Sequence, residues 1–120
     1  MGGGSSGHRR RWRDYQTPSG QRPVKEYVSQ LTDADAAAVV AAMKDVEHEG
    51  LRIARHVRGD IYEVRAEGKN LIFRILFAAE GRYNQILLAL EGFSKKTRKT
   101  PLDRIELAER RLSDWRHRGM

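Results

Sequence analysis

Three charged residues interrupt runs that otherwise read as strands. Glu63 and Arg65 lie within Ile61–Ala66, and Arg74 lies within Leu71–Phe77. A guanidinium in an apolar strand is costly unless it is paired or faces a wet groove. Pleat alternation puts Ile61, Glu63 and Arg65 on one face. Two chemistries suit this pattern. The arginines could be forks aimed at a phosphate, or structural partners of Glu63 across a hairpin; the residues alone leave both open. Farther along, Lys95, Lys96, Arg98 and Lys99 crowd the segment Gly92–Pro101. Cations this dense can neutralise a polyanion at close range, although a charge run is also what a solvated surface looks like. Arg104, Arg111 and Arg118 recur every seven residues and share one helical stripe. That stripe either borders the same groove or faces solvent.

Other chemistries lack their residues. The chain has no cysteine, which removes disulfides, thiolate catalysis and cysteine-ligated metals. His8, His48, His56 and His117 have no metal-ligand spacing, so neither metal nor cofactor is expected. Only His56, just before the meander, stands near a possible site. There is no Gly-rich phosphate loop and no nucleophile elbow. Tyr62 and Tyr83 read as packing or turn residues, and Phe93 as the anchor of a strand's exit or a platform for a base. The formal net charge of +7 and pI near 10.1 call for an acidic partner: nucleic acid first, then an anionic membrane surface or an acidic protein. No apolar run is long enough to span a membrane. The N-terminal arginines precede no apolar stretch of the secretory kind, and a cytoplasmic location is expected.

The elements that must position these residues can be read from period and punctuation. Residues 1–10 form a Gly/Ser-rich, then basic, flexible tail, and residues 11–120 a single domain. The run His8–Arg13, with Trp12 inside it, could grip nucleic acid or simply lead into a first strand near Trp12–Gln16. Pro23 suits the first turn of a helix to about Gln30. Thr32 reads as the N-cap of a second helix, with Ala36, Val39, Val40, Met43 and Val46 as its apolar stripe and Gly50 as its stop. Three strands follow, Ile61–Ala66, Leu71–Phe77 and Gln85–Leu90, joined too tightly for crossovers and therefore antiparallel. Pro101 opens a last helix whose buried stripe is Leu102, Ile105, Ala108, Leu112 and Trp115.

The segments Gly59–Arg65, Phe73–Ile75, Leu87–Pro101 (with Gly92-Phe93-x-Lys95-Lys96-Thr97-x-Lys99-Thr100-Pro101) and Ile105-x-x-Ala108-x-x-Arg111 resemble the RelE/ParE superfamily of bacterial toxins, in its HigB-like, phage-derived branch. The resemblance runs from about Asp14 to Trp115. It implies a RelE-like α+β fold: a small, mostly antiparallel four-stranded sheet, an N-terminal αα-hairpin and a C-terminal helix. It also implies the toxin of a type II toxin–antitoxin system, an endoribonuclease (mRNA interferase) that inhibits translation by metal-independent mRNA cleavage on the ribosome. Its partners would be a cognate antitoxin, of helix-turn-helix type, the ribosome and mRNA. On that reading Arg65 and Arg74 stabilise the phosphate in the transition state and Glu63 is the candidate general base. Lys95, Lys96, Arg98, Lys99 and Arg111 bind RNA. Two alternatives stay open: a ParE-like gyrase inhibitor without nuclease activity, and a non-catalytic basic RNA-binding module.

Overall fold

The computed structural model describes residues 9–119. Residues 1–8 of the expected tail, His8 among them, lie outside the described residues. The elements are β1 (Arg11–Asp14), α1 (Pro23–Ser29), α2 (Asp33–Glu49), β2 (Arg55–Arg58), β3 (Ile61–Glu67), β4 (Ile72–Glu80), β5 (Ile86–Lys95) and α3 (Leu102–His117). Pro23 occupies the first turn of α1, where its missing N–H costs nothing. Thr32 caps α2, its hydroxyl accepting from Asp35 N at 3.2 Å. Gly50 ends α2 with φ +81°, a left-handed turn that suits glycine.

The sheet has five strands in the order β1-β5-β4-β3-β2. Strands β2 to β5 form an antiparallel meander, and β1 lies parallel to β5 at the opposite rim. The expected four-stranded sheet is thus corrected to a mixed, five-stranded one. The added strand, Arg-His-Val-Arg, is a rim strand whose only half-buried residue is Val57. With one flank in water it carries no apolar alternation by which to be read. A second correction concerns β5. It continues to Lys95, pairing Gly92 with Ile75 and Lys95 with Ile72, so the first part of the basic segment is strand.

Alternation along the strands divides the core in two. Val64, Phe73, Ile75, Phe77, Leu87 and Ala89 pack beneath the α1–α2 hairpin with Val24, Val39 and Val46. Ile61, Leu76, Ala78, Leu88 and Phe93 face the other way and meet Ala108, Leu112 and Trp115 of α3. The sheet is therefore covered on both faces. A bulge opposite Leu76–Phe77 inserts one extra residue into β5, pairing Leu76 with Glu91 and Phe77 with Ala89. It turns Leu90 and Glu91 to the same side, toward α3. Two stripe residues differ from expectation. Val40 is 42% exposed because α2 lies on the sheet along the line of Val39 and Val46, one of several apolar lines in an Ala-rich helix. Leu102 is 55% exposed because it begins α3, ahead of the first buried position at Ile105.

At Gly92 the hairpin packs directly against the β5 backbone. A Cβ there would fall 2.9 Å from Tyr27 Cγ, and the Tyr27 hydroxyl is fixed by Ser94 at 2.7 Å. Gly92→Ala should therefore push α1 off the sheet and lower stability by about 1–3 kcal/mol, the range for overpacking a fitted core. Urea unfolding measures this; an unchanged midpoint would show that Tyr27 moves freely.

Candidate nucleic-acid interface

The β3–β4 register sets Arg65 directly opposite Arg74, and the β4–β5 register sets Arg74 opposite Phe93. Two like charges across a ladder repel. Glu63, two residues before Arg65 and on the same face, offsets that repulsion. Arg65 Nε donates to its Oε1 at 2.9 Å. Arg74 Nε lies 3.6 Å from its Oε2, within ion-pair range and too far for a hydrogen bond. The Thr100 hydroxyl donates to the same Oε2 at 2.8 Å. The side chains of Glu63 and Arg74 are fully enclosed, whereas 20% of Arg65 reaches solvent. Burial, and then the neighbouring Arg65, lower the pKa of Arg74 from arginine's usual value, while Glu63 raises it.

The remaining guanidinium donors turn to the segment that follows β5. Arg74 Nη1 donates to the carbonyl of Lys99 at 2.9 Å, and Nη2 to that of Thr97. Arg65 Nη2 donates to the carbonyl of Arg98. Three successive carbonyls of the basic loop are thus drawn to two buried or half-buried cations. The side chains of Lys95, Lys96, Arg98 and Lys99 are all exposed. Among the described residues, none of the four has a carboxylate partner. The cations beneath the loop hold its backbone; those on the loop itself face water, where a phosphate chain would find them.

Arg65, Arg74 and Glu63 are therefore brought together, with the four loop cations above them. Both Glu63 oxygens are occupied and enclosed. Arg111 is engaged elsewhere, donating to Leu90 O at 2.8 Å and to Glu91 Oε1 at 3.0 Å. Arg104 joins it on Glu91, and Arg118 bonds Asp114 and the carbonyl of Gln16. The seven-residue stripe ties α3 to β5 and to the segment after β1; Arg111 is half-buried, while Arg104 and Arg118 keep part of their surface in water. His56 pairs in register with Tyr62, whose ring packs with the hairpin side of the core, so it sits on the face away from Glu63. Phe93 is 3% exposed, with the guanidinium carbons of Arg74 and Arg104 at 5.7 and 5.2 Å from its ring centroid. It is an anchor.

Two residues of this network were not expected. Glu91 carried the same signal as Arg74, a charge inside an apolar strand. Thr100 carried none, since a hydroxyl before a proline is ordinary turn chemistry. Beside Arg65 a groove of about 270 Å³ opens between α2 and the uncovered part of β3, lined by Asp45, Ile53, Arg55 and Val64. A larger hollow of about 440 Å³ lies near the other end of α3. Its charged residues there, Asp60, Glu109 and Arg116, are engaged in ion pairs. Among the described residues no cluster could hold a metal ion, and no helix is long and apolar enough to cross a membrane.

The network makes a ranked prediction about stability. Glu63→Ala strands an enclosed guanidinium and should cost about 3–5 kcal/mol, the scale for breaking a buried ion pair from one side. Thr100→Val keeps the shape, removes one donor and should cost about 1–3 kcal/mol. Lys96→Ala should cost almost nothing. Equal unfolding midpoints for the three variants would refute the latch.

A family model described as phage derived protein Gp49-like (DUF891) matches residues 26–113. The chain is also 33% identical over 108 residues to proteins named "Probable endoribonuclease HigB1" from two strains of Mycobacterium tuberculosis, CDC 1551 / Oshkosh and ATCC 25618 / H37Rv. The alignment covers 88% of this chain and 84% of each relative. The matched span includes β3, β4, β5 and the latched loop, all the elements that carry the buried arginines, and this chain belongs to the Gp49-like phage-derived family, in its HigB-like toxin branch.

Proposed function

We propose that this protein is the toxin of a type II toxin–antitoxin pair and cleaves mRNA on the ribosome without a metal. The observation that carries the reading is the latched loop: four exposed cations on a backbone held by Arg65 and Arg74. The name of the relatives, endoribonuclease, gives the chemistry its direction. Attack of a 2′-hydroxyl, as it gives up its proton, on the adjacent phosphate forms a phosphorane richer in negative charge than the ground state; its collapse breaks the bond to the 5′-oxygen, which takes up a proton, and leaves a cyclic phosphate and a free 5′-hydroxyl. Cations fixed in advance favour that species over the substrate.

In this reading Arg65 meets the scissile phosphate through the edge it exposes beside the groove. Lys95, Lys96, Arg98 and Lys99 hold the RNA strand to either side. Arg74 and Glu63 act through the loop, by fixing its carbonyls, and Arg111 acts through α3. The site is open and strongly positive, which suits an antitoxin that neutralises it by laying an acidic or amphipathic segment over the loop. A cytoplasmic location accords with a ribosomal target.

Expression followed by primer extension on cellular mRNA tests the reading; discrete cleavage within translated codons is the expected result. Arg65→Ala should reduce cleavage by about 10²-fold or more with the fold retained, the scale for losing one preorganised charge stabiliser. Intact mRNA together with inhibited supercoiling by gyrase would move the protein to the non-nuclease alternative.

A further inference from the structure

A second basic feature lies at the opposite end of β5 from the loop. Register places Arg11 beside Ile86, and Arg11 N donates to Gln85 O at 2.8 Å. The loop follows Lys95 at the strand's other end, about 30 Å away for a strand of this length. β1 is a rim strand, and the residues from Arg9 to Asp14 divide by parity. Arg10 donates to the carbonyl of Glu47, Trp12 Nε1 to that of Met43, and Asp14 pairs with Arg22. This half of the run ties β1 to its neighbours. Arg9, Arg11 and Arg13 are exposed, and among the described residues none of them has an ion pair or a side-chain hydrogen bond. The nearby carboxylates of Asp14 and Glu80 are already taken, by Arg22 and Arg116.

The turn beside Arg11 adds an independent observation. Tyr83 and Asn84 hold φ +59° and +55°. A bulky aromatic residue is an outlier in that region, and such outliers gather where presentation of a side chain matters. Tyr83 as a residue is 61% exposed, with the Arg82 guanidinium carbon 5.9 Å from its ring centroid.

From these observations we infer that Arg9, Arg11 and Arg13, with Arg82 and Tyr83, form a second RNA-binding surface, which grips the sugar–phosphate backbone of structured RNA away from the cleavage loop. Alternate residues of a strand recur every ~6.6 Å, which spaces Arg11 and Arg13 along one face of β1, and Arg9 precedes the strand by two residues. All four cations are arginines, whose planar donors match phosphate oxygens two at a time. An exposed aromatic ring beside them accepts an unpaired base. An acidic peptide would use the charge and the forks, since carboxylates also accept two at a time, but it would leave the ring without a stacking partner. The inference rests on the RNA-directed reading above; it adds a place where RNA is held without being cut.

The test is binding of the full chain to a fluorescein-labelled, 2′-O-methylated RNA stem–loop, which cannot be cleaved, across a salt series. Replacing Arg9, Arg11 and Arg13 together by Gln should lower the log–log salt slope by roughly 2–3 units, at about 0.9 per lost phosphate contact. The same three positions as Lys should keep the slope. Lys96→Gln with Lys99→Gln should lower it independently, and the two sets should add. Tyr83→Gly, which suits the left-handed backbone, should weaken binding severalfold with no fall in Tm. A slope that changes only in the loop variant overturns the second surface and leaves the proposed function standing. A slope that changes in neither sinks the RNA-directed reading itself. If the Gln variant keeps its RNA slope but loses binding to a poly-glutamate peptide, the surface serves an acidic protein and the inference is wrong.

Discussion

One carboxylate, Glu63, allows two arginines to stand side by side in the middle of a sheet. Without it the β3–β4 ladder would set an enclosed cation and a half-buried one against each other at the place where α3 and the basic loop converge. With it, each arginine has charge compensation on one flank and donors to spare on the other. The spare donors meet the carbonyls of residues 97–99, so the loop's path is fixed from below by one guanidinium that is wholly enclosed, Arg74, and one that keeps an edge in water, Arg65. Glu91 repeats the arrangement on β5, two strands over, between Arg104 and Arg111, and fixes α3. Two buried carboxylates shared among four arginines thereby determine how both the loop and the last helix sit on one face of the sheet.

This division of labour separates cations that shape the protein from cations that face out of it. Net charge alone does not distinguish them. Arg74 and Lys96 each add one positive charge to the same neighbourhood, yet the first is wholly enclosed and the second is open to water. The bulge in β5 contributes as well. By turning two consecutive residues toward α3, it lets Leu90 fill the core while Glu91 receives the helix's arginines.

Much of the fold was legible because its signals are local. Pro23, Thr32 and Gly50 punctuate the hairpin, alternation marks β3, and the spacing of Ile105, Ala108, Leu112 and Trp115 marks α3. The fifth strand was not legible, because a rim strand needs only its neighbour's ladder and little apolar alternation. At the site, Glu63, Arg65 and Arg74 stood out as charges in apolar strands, and the suggestion of an ion pair across the hairpin was one of the two readings they allowed. What sequence could not supply was the third dimension of the loop. The role of Thr100 depends on the chain folding back over β3, a contact between residues 37 positions apart.

The parallel pairing of β1 with β5 has a consequence for the order of events during synthesis. Arg11–Asp14 is made first among the strands, and its ladder partner, Ile86–Ala89, is made last. The rim strand must therefore wait, unpaired, while the hairpin and the meander emerge. Loop closure over so long a separation is slow relative to the local contacts of α1 and α2. The loop cations, at the end of β5 and just beyond it, emerge only after the β3 and β4 residues that hold them. A nascent chain therefore carries no assembled loop surface until that segment has itself left the exit tunnel, and a chain released before that point would lack one.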